Sequence, residues 1–145
     1  MKLSAKSHRK IEEFFRYQLE DESFCLPEIY FYAGKFTHYF TARFKLDGVT
    51  IGRRVFIYPG KFWISSGKLL RLDEELVVHE IAHVLQYRRE GIARFLGIYL
   101  KSFWANLKRK PKWDLRAREE AYFEIPLEVE ARLIASNFVN WSRNK

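Results

Sequence analysis

Residues 79–83 read His-Glu-Ile-Ala-His. On a helix, residues four apart share a face, so the imidazoles of His79 and His83 can reach one metal ion. Glu80, one residue round the helix, can stand over an open coordination position, where a general base belongs. The ion this pattern predicts is zinc (Zn2+). Leu76, Val77, Ile81, Val84 and Leu85 supply an apolar face that anchors such a helix in a core. The bland alternative is a pair of core or surface histidines. With 4 histidines in the chain, chance alone gives HExxH in roughly one shuffled sequence in a hundred.

A catalytic zinc takes three protein ligands and keeps one open position, so two histidines are not enough. The longer HExxHxxGxxH pattern is absent, since position 86 is Gln and position 89 is Arg. His8 and His38 lie far upstream. The downstream segment from Glu124 to Arg132 offers Glu124, Glu128 and Glu130. Glu128 begins a Glu-x-x-Ala step with Ala131, and a small residue one turn on lets two helices approach closely. Glu128 is therefore the expected third ligand. Glu124 and Glu130 are expected only to complement a helix N-terminus.

These groups need elements to hold them. Lys6–Glu20 has helical apolar spacing at Ile11, Phe14, Phe15 and Leu19. Glu28–Tyr32 reads as a strand, Phe36–Leu46 as a short helix ended by Asp47-Gly48, and Thr50–Tyr58 as the strongest strand, before the Pro59-Gly60 turn. Lys61–Ser65 reads as a short return strand. Asp73 suits an N-cap, with Glu74 and Glu75 in the first turn of a helix running to Glu90, and Gly91 suits its end. Ile92–Leu107 is a second helical segment, Lys108–Lys112 a basic connector, and Pro126 the start of a last helix reaching about to Trp141. The class is α+β: a small antiparallel or mixed sheet, the HExxH helix packed on it, and a C-terminal helix bearing the third ligand.

Residues 1–145 are expected to form a single domain, since 145 residues with 48% hydrophobic content can bury a core. Cys25 is the one cysteine, so no internal disulfide forms, which fits a reducing compartment. The charged N-terminus lacks a signal-peptide core, and no apolar run of membrane-spanning length occurs, so a cytoplasmic protein is expected. The net charge of +8 favours polyanions. Lys108, Arg109, Lys110, Lys112, Arg116 and Arg118, flanked by Trp104 and Trp113, offer weak contact with an anionic membrane surface or nucleic acid. Such runs are more often a solvated loop beside a packed helix.

The segment Leu-Val-Val-His-Glu-Ile-Ala-His-Val-Leu-Gln (Leu76–Gln86) resembles small bacterial zincin-like domains with an HExxHxxQ helix. The Glu-x-x-Ala step at 128–131 is similar to the HtpX/prenyl-protease and ImmA/IrrE families, gluzincin-type metallopeptidases in which that Glu is the third zinc ligand. The resemblance covers roughly residues 49–136. It implies a zincin-like fold, with His79, His83 and Glu128 as ligands and Glu80 as the base. Thr50–Tyr58 would be the edge strand that aligns an extended peptide or protein substrate. The implied reaction is peptide hydrolysis, in which Glu80 takes a proton from a zinc-activated water and passes it to the leaving amine. Tyr122, Tyr99 and Tyr87 are candidate donors to the oxyanion. Several of these families carry Asp or Asn where this chain has Arg132. If that acid orients a ligand histidine, another partner is needed here. The alternative is a zinc-binding zincin domain with little or no catalysis, acting as an interaction module.

Overall fold

Ser4 accepts a hydrogen bond from the Ser7 amide and starts helix α1, Ala5–Leu19, whose Ile11, Phe14 and Phe15 are buried. In this computed structural model the residues described are 2–34, 47–59, 62–65 and 69–145, with the backbone alone described at 62–65 and 69–72. After α1 come strands β1 (Tyr30–Tyr32), β2 (Gly48–Ile51), β3 (Arg54–Ile57), β4 (Phe62–Ser65) and β5 (Leu69–Leu72). Helices α2 (Glu74–Glu90), α3 (Ile92–Lys108), α4 (Leu115–Phe123) and α5 (Pro126–Arg143) complete the described chain. The class is α+β.

The sheet beneath α2 is mixed, with strand order β1-β3-β2. β1 runs parallel to β3 with Phe31 opposite Val55, and β2 runs antiparallel to β3 with Thr50 opposite Val55. The single strand expected over Thr50–Tyr58 is instead a hairpin. Gly52 takes φ +61°, a left-handed conformation open to glycine, and turns the chain back on itself. Gly48, expected in a turn, opens β2. β4 pairs antiparallel with β5 rather than returning to the hairpin. A strand at 69–72 was not expected from the sequence, nor was α4, which Asp114 caps by accepting from the Ala117 amide. The short helix expected over Phe36–Leu46 lies outside the described residues.

The core forms where α1, the sheet, α2 and α5 meet, and Phe14, Phe15, Val55, Ile57, Val78, Ile81 and Phe138 are fully buried there. The Phe14 ring meets Phe15 and Phe138 edge-on, each at 5.2 Å. Truncating such a phenylalanine to alanine costs about 3–5 kcal/mol. A second cluster joins Tyr87 of α2 to Phe95 of α3 and to Ile125 and Leu127 at the start of α5. α2 is thus covered on most of its circumference, more than the one apolar stripe suggested. Among the described residues no helix is long and apolar enough to cross a membrane.

Candidate metal centre

Asp73 caps α2 by accepting from the Glu75 amide, and Glu74 and Glu75 occupy the first turn. That start fixes the phase of the helix, so His79, Glu80 and His83 fall where α2 meets β2, α3 and α5. Gly91, at φ 79°, ends α2 and begins α3. Pro126 opens α5, which places Glu128 in its first turn. Ala131 is fully buried against the packing between α2 and α5. A larger side chain there would push the helices apart.

The structure brings His79, His83 and Glu128 together, each offering one ligand atom, all within 4.8 Å of one another. His79 Nε2 lies 3.2 Å from His83 Nε2. Glu128 Oε2 lies 3.3 Å from His79 Nε2, and Glu128 Oε1 lies 3.3 Å from His83 Nε2. This trio could hold a metal ion. Glu128 Oε2 is buried and accepts no hydrogen bond. A buried carboxylate oxygen left this way is costly, and a cation between it and the imidazoles would satisfy it.

Glu124 and Glu130 stand apart from this trio. Glu124 pairs with Lys110 at 2.6 Å. Glu130 takes a two-pronged contact from Arg89, at 2.7 and 3.0 Å. Its role is therefore more specific than helping a helix N-terminus, because it also holds Gln86.

Gln86 is the residue that the spacing argument missed. Its Nε2 donates to Leu127 O and to Glu130 Oε2, both at 2.9 Å. Both partners are pure acceptors, so the amide nitrogen must face them. Oε1 then faces His83 Nδ1 at 2.8 Å and can only accept. His83 therefore carries a proton on Nδ1, which leaves Nε2 as the coordinating atom. This is the orienting partner that the Arg132 position does not supply. Arg132 lies over the Phe123 ring and donates to the Phe123 carbonyl.

Glu80 is held from the sheet. Thr50 Oγ1 donates to Glu80 Oε2 at 2.6 Å. A Cβ on Gly48 would stand 2.5 Å from Glu80 Oε1, so the carboxylate occupies space that only glycine leaves open. Neither contact had a local signal, since Thr50 lies 30 residues before Glu80.

Tyr99 donates to Glu128 Oε1 at 2.9 Å. Tyr122 interacts with Tyr99 and Glu128 and also senses the Glu80 charge. Tyr87 is elsewhere, stacked on Phe95 with centroids 3.8 Å apart.

The charges follow from this packing. Burial pushes Glu80 above the usual carboxylate range, and the histidines and Thr50 only partly oppose it. Burial alone would raise Glu128, but the imidazoles of His79 and His83, each 3.3 Å from its carboxylate, hold it far below that range. Burial lowers His83, yet the hydrogen bond and charge of Glu128 outweigh this and leave it above an ordinary histidine. Burial and the Glu128 charge push Tyr99 and Tyr122 far up, so both keep their protons as donors.

No family model, curated protein or solved structure matches the chain.

Proposed function

We propose that the chain is a zinc-dependent metallopeptidase of zincin-like fold, hydrolysing peptide bonds at His79, His83, Glu128 and Glu80. The observation that carries this is the convergence of His79, His83 and Glu128, with a sheet-held Glu80 following His79 on α2. Donors around a tetrahedral zinc, with bonds of about 2.0–2.1 Å, lie roughly 3.3–3.4 Å apart. The two imidazole nitrogens, 3.2 Å apart, are close to that spacing, and each lies 3.3 Å from a different oxygen of Glu128.

When bound, zinc supplies a Lewis acid that polarises a carbonyl and acidifies a water. The chain does the rest. Glu80 accepts a proton on its carboxylate and returns it to the leaving amine. Gln86 holds the tautomer of His83, and Tyr99 orients Glu128. Tyr122, which senses both Glu128 and Glu80, is our choice of donor to the oxyanion. β2, an edge of the sheet among the described residues, is our choice for aligning an extended peptide.

The test is metal content followed by peptide cleavage. We expect one zinc per chain, lost in the His79→Ala/His83→Ala double variant, and cleavage cut about 100- to 10,000-fold in zinc-loaded Glu80→Gln. Stoichiometric zinc retained by the double variant would remove the site. Zinc without cleavage by the wild type, across a broad peptide library, would select the non-catalytic zinc domain.

A further inference from the structure

α3 packs inward through Phe95, Asn106 and Leu107. Its outer face is not the polar face of a packed helix. Ile92, Leu96, Leu100 and Trp104 are 58%, 45%, 56% and 48% exposed. Spaced four apart, they form one slowly winding apolar stripe. Trp113, just past the connector, meets Trp104 edge-on at 6.0 Å and is itself exposed. The stripe therefore ends in a pair of indoles.

Arg94, Lys101 and Lys108 are exposed and spaced seven apart, a nearly straight row of cations that starts across the helix from Ile92 and Leu96 and closes on the winding stripe at Lys101 and Lys108. The helix contains no Asp or Glu over its 17 residues, a length of roughly 25 Å. Arg94 has a neighbour in Glu90 at 3.0 Å. Lys101 and Lys108 have no carboxylate partner among the described residues. Lys110, by contrast, is tied to Glu120 and Glu124 at 3.2 and 2.6 Å. The free positive charge thus lies along α3 more than in the middle of the connector.

We infer that α3 docks on an anionic lipid bilayer, lying in its interface with the stripe in the acyl boundary and the cation row on the headgroup phosphates. The two halves of the face select this occupant together. A polyanion such as nucleic acid answers the cations but offers nothing to Ile92, Leu96 and Leu100. A second copy of this basic chain answers the stripe but repels the cations. A bilayer interface presents hydrocarbon and negative charge side by side, and indoles favour that depth. The inward side of the same helix supplies Tyr99 to Glu128, so docking would hold the metal centre beside the membrane. The docking itself does not depend on the zinc reading.

The test is flotation of the full chain with vesicles of phosphatidylcholine alone and of phosphatidylcholine with phosphatidylserine. Binding is expected to the second and not the first, with a blue shift of tryptophan emission. Lys101→Gln/Lys108→Gln should weaken it roughly 25-fold, at about fivefold per cation. Leu96→Gln/Leu100→Gln should weaken it at least about 100-fold. Both pairs are exposed, so circular dichroism and melting should match wild type. Failure to float with phosphatidylserine vesicles, or flotation undiminished in the two variants, would overturn the proposal. So would tight binding of single-stranded DNA without vesicle binding, or self-association abolished by the leucine variant without vesicle binding.

Discussion

Gly48 and Glu80 fit each other at the boundary between sheet and helix: a Cβ at position 48 would stand 2.5 Å from Glu80 Oε1. The close approach lets β2 press the carboxylate into a fixed position while Thr50 holds its other oxygen at 2.6 Å. Gly48→Ala should therefore displace Glu80 and leave the three-ligand cluster untouched. We expect zinc content near wild type and peptide cleavage reduced at least about tenfold, since misplacing a catalytic group by 1 Å can cost about 100-fold. Unchanged kcat/KM in Gly48→Ala would separate Glu80 placement from catalysis.

Glu80→Gln keeps size and helix propensity and can still accept from Thr50. Cleavage should fall about 100- to 10,000-fold with zinc retained. The raised pKa of Glu80 adds a second readout. An acid raised on folding favours the protonated folded state, so stability falls as pH rises from the unfolded value of 4.5 through the higher folded one. Removing that charge should raise the melting temperature of the metal-free protein at neutral pH by a few degrees, roughly 2–4 °C per kcal/mol. A lower melting temperature in metal-free Glu80→Gln would contradict the burial argument.

Gln86→Leu should loosen zinc about 10- to 100-fold, by releasing the His83 ring from its fixed tautomer. Glu130→Ala should do less, because Leu127 O still anchors the Gln86 amide at 2.9 Å. Glu128→Ala should be the most damaging of the acid substitutions, and Glu124→Ala should have no effect on zinc. Competition with a chelator of known affinity ranks them. A larger loss in Glu124→Ala or Glu130→Ala than in Glu128→Ala would sink the ligand assignment.

Without metal, Glu128 holds His83 above its ordinary value of 6.5. A raised histidine stabilises the folded chain fully below the unfolded pKa, and that contribution is lost as pH rises through the folded pKa. Coordination needs the neutral ring, so zinc competes with this proton. Zinc affinity should climb through the histidine range and keep climbing above 6.5, while the metal-free chain loses stability over the same interval. Zinc titrations from about pH 5 to 8 test both halves. Affinity flat across that range would exclude histidine ligation.

Tyr122→Phe should lower kcat more than it raises KM, by about 100-fold if its hydroxyl meets the oxyanion. Tyr99→Phe should instead weaken zinc, because its hydroxyl binds Glu128 at 2.9 Å. A kcat loss confined to Tyr99→Phe would reverse the two roles.

Helical periodicity and capping are legible in the residues alone. His79 and His83 share a face because they lie four apart on α2, and Asp73 and Gly91 bound that helix by chemistry local to its ends. Pro126 and Ala131 marked α5, and with them Glu128. The β-branched and aromatic residues of Thr50–Tyr58 hide the turn at Gly52, whose left-handed φ of +61° makes it a hairpin. α4 was missed because its nine residues, Leu115–Phe123, bury only Ala117 and Ala121 and carry little apolar pattern. Tertiary structure alone decided the rest. Thr50 and Gly48 reach Glu80 across some 30 residues, and Gln86 bonds Leu127 and Glu130 across 41 and 44. Such contacts arise from the packing of β2 and α5 on α2, and no local spacing encodes where two distant segments will touch.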